Sequence, residues 1–345
     1  MACFGITGAR AQTWVNQQVA SFESLVSNYN VITVGNATFN GTHTDGAVAV
    51  GGNLNLNGSD IVLHSNTLNS NPAIYVKGQI NLSGSDSKLL SGYAYAPNMN
   101  SNPTWVNNGG QRYLQDSNNT KLWFNTTHTS AYTDPRNTPA PTSGFDVTST
   151  TNQLVMVSAA LASATATGTI SFSNNSITLN TSLTSGTAVF DLDASLIAGL
   201  SNTNIQINVP ANMVYVINVR NADGTTLFGG GGNNGNAGQN NDKLLWNIIA
   251  DSNPATSSTV GLGTNFYGSI LAPMMDLNNG SQKYVNGQVV ANTYTHNGAE
   301  VHYVDFTTPV GFTPVPEAGT FGVFGVAGVA AMMFLRRPRR AAANA

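Results

Sequence analysis

Two carboxylates, Asp191 and Asp193, stand at i and i+2 in the segment Val-Phe-Asp-Leu-Asp. In a strand they share one face, roughly 7 Å apart, a range at which paired carboxylates serve glycosidases. A surface strand also shows polar residues at alternate positions for solubility alone, so the pair needs an independent sign of acid–base tuning. Glu300 and His302 also share a strand face, with His296 and Asp305 near them, and such a set could ligate a metal. Nothing else supplies tetrahedral spacing, and Glu-x-His is common on exposed strands. His43, His64 and His128 are scattered over turns. The glycine-rich run 229–235 lacks the Gly-Lys-Ser/Thr ending of a phosphate loop and reads as part of a surface loop over 229–242. Cys3 is the only cysteine, which removes a disulfide framework, a thiolate zinc site and a thiol nucleophile from the body of the chain. No catalytic residue, metal ligand or cofactor is assigned. The remaining chemistry is aromatic. Tyr75, Tyr93, Tyr95, Trp105 and Trp123 read as outward residues whose faces can stack on sugar rings, with core packing the competing account. The candidate glycan contacts are Tyr93, Tyr95, Trp105 and Trp123.

The elements that must position these groups follow from composition. Only 8% of the 345 residues are charged, against roughly 25% in an ordinary soluble domain. Asparagine, with 45 residues, fills much of the difference, and Gly supplies 35 more. Both favour turns and disfavour helix interiors, so the chain predicts many short strands and few helices. Up to residue 315 there are nine basic and fifteen acidic residues, a balance of 9 − 15 = −6, which excludes a nucleic-acid groove built on clustered Lys and Arg. Residues 13–28 are the one helix candidate, with Val15, Val19, Phe22 and Val26 on a single apolar stripe.

After residue 30 the pattern has period two. The segment AVAVGGNLNLNGSDIVL (47–63) reappears as AIYVKGQINLSGSDSKL (73–89) at an offset of 26, with more than half of its positions identical. A second echo joins GSILA (268–272) to GQVVA (287–291) at an offset of 19. Self-similarity at such spacings marks a stacked architecture, in which successive rungs share a continuous apolar core. Inward Val, Ile and Leu pile up, while outward Asn side chains form ladders at a repeat of roughly 4.7 Å. A β-sandwich is the structural alternative. Residues 169–179 read as a hairpin or a rung, residues 204–219 as two strands around Pro210, and residues 97–144 as a long surface excursion.

The ends carry addresses. Residues 1–11, ending in Ala-Arg-Ala, read as the remnant of a signal peptide, and residues 12–308 as the folded domain. A Pro-rich spacer and motif (309–318) precedes an uncharged apolar run from Gly319 to Leu335, seventeen residues, just long enough for a membrane helix. Arg336, Arg337, Arg339 and Arg340 lie in the tail 336–345, which the positive-inside rule keeps in the cytoplasm. This three-part tail resembles a PEP-CTERM sorting signal, its motif being Val315-Pro316-Glu317-Ala318, with alanine where the family has a second proline. The resemblance implies an exosortase-type enzyme as partner, inner-membrane residence before processing, and association with exopolysaccharide.

Several body segments resemble the choice-of-anchor A domain of bacterial surfaces: TDGAVAVGGNLNL (44–56), NVPANMVYVINV (208–219), KLLWNI (243–248), FYGSILAP (266–273), and NGQVVA through GAEVHYVDF (286–306). This resemblance implies a mainly β chain: a right-handed parallel β-helix, similar to ice-binding-like adhesive domains, with one N-terminal helix alongside and no known enzymatic activity. The expected function is that of an exported, non-enzymatic adhesin or matrix protein contacting surface glycans. The alternatives are a carbohydrate-active enzyme on the same scaffold and an ice-binding protein. Thr42/Thr44, Thr165/Thr167/Thr169 and Thr293/Thr295 supply Thr-x-Thr pairs for the last, although the repeated rungs carry Asn instead.

Overall fold

The computed structural model describes residues 8–63, 71–100, 103–173, 176–198, 200, 204–205, 207, 209–229, 241–250, 258–280 and 282–312. Three short strands make a rung. Val31–Thr33, Ala37–Asn40 and His43–Thr44 are the first, followed by Val48–Val50, Leu54–Asn57 and Asp60–Ile61, then Ile74–Val76, Ile80–Leu82 and Ser87–Leu89. Each strand pairs in parallel with its counterpart in the next rung, so the rungs build three walls around an apolar interior. The long strands Ser269–Asn279 and Val289–Asn297 cross a corner and join the first two walls into one sheet. The corner between these walls is made by glycine. Gly52 donates to Gly35 O at 2.8 Å and Gly78 to Gly52 O at 2.9 Å. A Cβ on Gly78 would stand 2.6 Å from that Gly52 oxygen, so only glycine allows the rungs to close there.

The offset of 26 holds for the first two walls, where Val48 faces Ile74 and Leu54 faces Ile80. At the third wall it becomes 28, with Asp60 facing Lys88, because the turn before Ser87 is two residues longer. The offset of 19 also holds for Ile270 and Val289, and falls to 17 from Asp276 onward through an irregularity after Ala272.

The stack is not wound from one end to the other. Along the first wall the strand order is Ala94–Tyr95, Ile74–Val76, Val48–Val50, Val31–Thr33, Val289–Asn297, Ser269–Asn279, Leu244–Ile248, Met213–Arg220 and Gly186–Asp193. The chain therefore enters at the middle, winds to one end, crosses to the other and winds back until Val289 pairs with Val31. The crossing element is a second helix, α2 (Val147–Ala162), which packs with α1 (Gly8–Val26) on the outside of the first wall.

That second helix corrects the expectation of one. Its Thr, Ser and Val content hides it, but Asp146 caps it by accepting from Ser149 N at 2.8 Å, and Leu154, Val157 and Leu161 form its buried stripe. Residues 97–144 are likewise not a simple excursion. Thr104–Asn108, Gln111–Gln115 and Lys121–Phe124 form antiparallel pairs that extend the third wall. Gly109 and Gly110, both at positive φ, make the two-residue turn. Gly168–Ser173 and Ser176–Thr181 do form an antiparallel hairpin, and Asn204–Ile205 and Met213–Arg220 are the strands either side of Pro210.

Candidate binding surface

Among the described residues no helix packs on the outer face of the second wall. Its inward residues, among them Ala37, Phe39, Leu54, Leu56, Ile80, Leu277 and Tyr294, are buried. The alternate residues point out, and register sets them in a row across seven strands: Asn81, Asn55, Thr38, Thr295, Asn278, Gly261 and Thr226. With about 4.8 Å between strands, six gaps extend the row over roughly 29 Å. A neighbouring row holds Asn57, Asn40 and Asn297. The row is tied along the stack: Asn81 Nδ2 donates to Asn55 Oδ1 at 2.8 Å, and Asn55 Nδ2 to Thr38 Oγ1 at 3.0 Å. Asn53 and Asn57 instead accept from backbone, from Gln79 N at 2.9 Å and Ser85 N at 3.1 Å. Alternating asparagine thus serves two purposes, a side-chain ladder in the row and backbone satisfaction at its edges. Neither row contains a charged residue, and Asp276 beside them accepts from Thr293 Oγ1 and Asn292 Nδ2, both at 2.8 Å.

The third wall collects charge. One register row runs Glu300, His43, Asp60, Lys88, Trp123 and Tyr113. His43 Nδ1 lies 3.8 Å and Lys88 Nζ 4.0 Å from Asp60. At the aromatic end, the Tyr113 and Trp123 rings are 4.7 Å apart and Lys121 Nζ is 5.0 Å from each. Trp123 Nε1 donates to Asp86 Oδ2 at 2.9 Å. Beside Trp123 a cleft of about 330 Å³ is lined by Arg112, Asn125, Thr126 and Thr127 among others.

The residues singled out from sequence are distributed as follows. Tyr75 and Tyr93 are buried, each 7% exposed, which corrects their outward reading. Phe145, just before α2, packs edge-on to Tyr75 at 5.3 Å, and His128 stacks on Tyr93 at 4.8 Å. Tyr95 and Trp105 are partly buried against the core, Trp105 edge-on to Phe124 at 5.0 Å. Trp123 keeps a half-exposed face, and Tyr113 beside it was not singled out. Asp191 and Asp193 do lie on one strand, yet Asp191 is held by Arg220 at 3.1 Å. Asp193 accepts from Ser195 and Asn221, which lowers its pKa. Retaining or inverting hydrolysis calls for one carboxyl raised as an acid, and Asp193 is shifted the opposite way. His302 lies between Asp45 and Glu300, each at 3.3 Å, whereas His296 points inward and is fully buried, so the metal set is not brought together. Among the described residues no group of three His, Cys, Asp or Glu is placed to hold a metal. Thr42 and Thr44 are buried, and of the Thr-x-Thr pairs Thr293/Thr295 alone lies on the second wall. His64, the loop of residues 230–240, the sorting motif (Val315–Ala318), the apolar run and the terminal arginines lie outside the described residues. Among the described residues no helix is long and apolar enough to cross a membrane.

Residues 22–303 match the model of the ice-binding-like adhesive domain family, and the chain belongs to that family. Solved structures similar to the chain include an ice-binding protein from an Antarctic biological consortium. It is 12% identical over 82% of this chain and 90% of that one, with a TM-score of 0.33. The ice-binding protein 1 DUF3494 domain of Shewanella frigidimarina is 13% identical over 82% and 96%, TM-score 0.33. A glycosylated ice-binding protein from an Arctic yeast is 13% identical over 85% and 95%, TM-score 0.31. No curated protein sequence matches the chain.

Proposed function

We propose that the protein is an exported, non-enzymatic adhesive module of the cell surface or extracellular matrix, of the choice-of-anchor A type. The second wall is its adhesive face. What supports this reading is that face itself: two uncharged rows, mainly amides and hydroxyls, held in register by the stack. A neutral polar plane can meet sugar hydroxyls without the desolvation cost that charges carry, and repetition adds many weak contacts into one useful affinity. In this reading the Val315–Ala318 motif, the apolar run Gly319 to Leu335 and Arg336, Arg337, Arg339 and Arg340 form the sorting signal for an exosortase-type enzyme. The chain is then anchored in the inner membrane until processing delivers it to exopolysaccharide. Retention of the full chain on immobilised exopolysaccharide tests the face. The double variant Asn55→Asp, Thr295→Asp is expected to weaken it at least tenfold with unchanged circular dichroism; undiminished retention would refute the assignment. Mass spectrometry of secreted protein tests the sorting, an intact cytosolic product being the contrary result.

A second reading, ice binding, is favoured by one observation: Thr38 and Thr295 are register neighbours at the centre of the row, with Thr293 beside them. Ice recrystallisation inhibition that disappears in Thr38→Tyr would select it over glycan adhesion.

A further inference from the structure

We propose that the cleft beside Trp123 is a binding site for an acidic sugar, a uronic acid residue of a polysaccharide, with Arg112 receiving its carboxylate. Arg112 lies in the strand Gln111–Gln115 and donates through Nη2 to Thr126 O at 2.7 Å. Its Nε and Nη1 are buried and have no hydrogen-bond partner. A guanidinium carries five N–H donors and does not lose its charge, so dry, unpaired donors are costly unless something arrives to meet them. The other arginines with described ion pairs have carboxylates: Arg136 has Asp134 and Arg220 has Asp191. Among the described residues no carboxylate lies within ion-pair reach of Arg112.

The surroundings name the ligand class. Arg112 Cζ sits 3.8 Å from the centre of the Tyr132 ring. Tyr132 ends the single turn Thr129–Tyr132 and is 52% exposed, so the side chain over the guanidinium lies against solvent on its other side. With Tyr132 aside, a carboxylate can approach either edge of the guanidinium, pairing the unmet Nε or Nη1 together with the second N–H of Nη2, the edge-on geometry that carboxylates match. The cleft that Arg112 lines is shared with Trp123, whose ring offers a stacking surface, and with Asn125 and Thr127, which offer an amide and a hydroxyl. Aromatic face, neutral hydrogen-bonding groups and a guanidinium with unmet donors together describe a pyranose bearing a carboxylate. The inference rests on the reading of the protein as a glycan adhesin, and uses a site separate from the second wall.

The test uses the full chain with polygalacturonate, its fully methyl-esterified form, a neutral polyglucose and free acetate. Polygalacturonate is expected to bind at least tenfold more tightly than its ester. Arg112→Gln is expected to weaken it about 30-fold or more, as removal of one partner of a buried charge pair does, and Trp123→Ala is expected to weaken both forms. In the unmodified chain, polygalacturonate should shift the Arg112 Nε–H resonance, a readout independent of any variant's folding, while acetate alone should leave it in place. Equal binding of acid and ester overturns the proposal. So does polygalacturonate binding that persists in Arg112→Gln, which would place it on the terminal arginines. Neutral-glycan binding alone overturns this site and leaves the adhesive reading standing; failure to bind any of the glycans overturns both.

Discussion

Asn218 and Asn247 are register partners on adjacent strands of the first wall, both fully buried, with Asn247 Nδ2 donating to Asn218 Oδ1 at 2.9 Å. They are the fastening of α2. Asn247 also donates to Ser158 O at 3.0 Å and accepts from Ser158 Oγ at 2.7 Å, and Asn218 donates to Leu161 O at 2.9 Å. Arg220 completes the set, reaching Ala162 O at 2.7 Å, a cation at the helix C-terminus where the dipole favours it. The amides therefore hold the last turn of the helix that carries the chain from one end of the stack to the other. Asn247→Ala leaves Ser158 Oγ and Asn218 Oδ1 buried without this partner and should cost about 2–4 kcal/mol. Urea unfolding monitored by circular dichroism checks this, and a loss below about 1 kcal/mol would contradict it.

Two neighbours in one strand separate core from surface. Leu54 is fully buried and Asn55 faces out in the ladder. Leu54→Ala should destabilise by about 2–5 kcal/mol, because rungs on either side share the cavity it leaves. Asn55→Ala removes hydrogen bonds at a partly solvated site and should cost about 1 kcal/mol or less. Chemical denaturation of the pair checks the ordering. Retention on exopolysaccharide is expected to respond in the opposite order, falling in Asn55→Ala and not in the folded fraction of Leu54→Ala.

This division also marks what was legible in the sequence. The rungs were, because inward Val48, Leu54 and Leu56 repeat as Ile74, Ile80 and Leu82. The third strand was not, since a turn two residues longer moves Lys88, not Asp86, opposite Asp60. Tyr75 was misread because alternation predicts an outward residue between Ile74 and Val76. The helix layer and Phe145 cover that wall, so the strands Val31–Thr33, Val48–Val50 and Ile74–Val76 are buried on both faces. The entry of the chain at mid-stack was not legible either. Pairing of Val31 with Val289 depends on α2, whose β-branched and hydroxyl residues conceal its period. Arg112 gave no local signal, because the unmet state of its Nε and Nη1 is a property of the assembled cleft.

The end of the stack predicts a solubility effect. Gly186–Asp193 is the last strand of the first wall and, among the described residues, has no further rung to pair with, only Thr167, which bonds Val189 at 2.8 and 2.9 Å. α1 blunts it with side chains: Gln12 Nε2 donates to Thr187 O at 2.9 Å, and Asn16 Oδ1 accepts from Thr187 N at 3.0 Å. An uncovered edge templates association. The double variant Gln12→Ala, Asn16→Ala should remain folded but form higher-order species. Light scattering at increasing protein concentration checks it, with an unchanged monodisperse profile as the contrary outcome.

Two histidines six residues apart make opposite contributions to pH stability. His296 is fully buried, with Nδ1 2.8 Å from both Asn279 Nδ2 and Tyr294 Oη, and burial lowers its pKa from 6.5 to about 4. Its neutral form belongs to the folded state, so its contribution is complete above the unfolded value of 6.5 and is lost as pH falls toward 4. The loss amounts to about 3 kcal/mol. His302 is raised, chiefly by its hydrogen bond to Asp45, with Glu300 adding to the effect. Its contribution is complete below 6.5 and is lost as pH rises through the folded value; with the side chain 34% exposed, it amounts to less than about 1 kcal/mol. The larger, acid-side effect wins. Unfolding free energy measured from pH 8 to pH 4 should therefore fall steeply below pH 6.5. His296→Gln should flatten that fall, and His302→Gln should remove only a small gain near neutrality. A profile equally steep in His296→Gln would show that other groups set the acid limit.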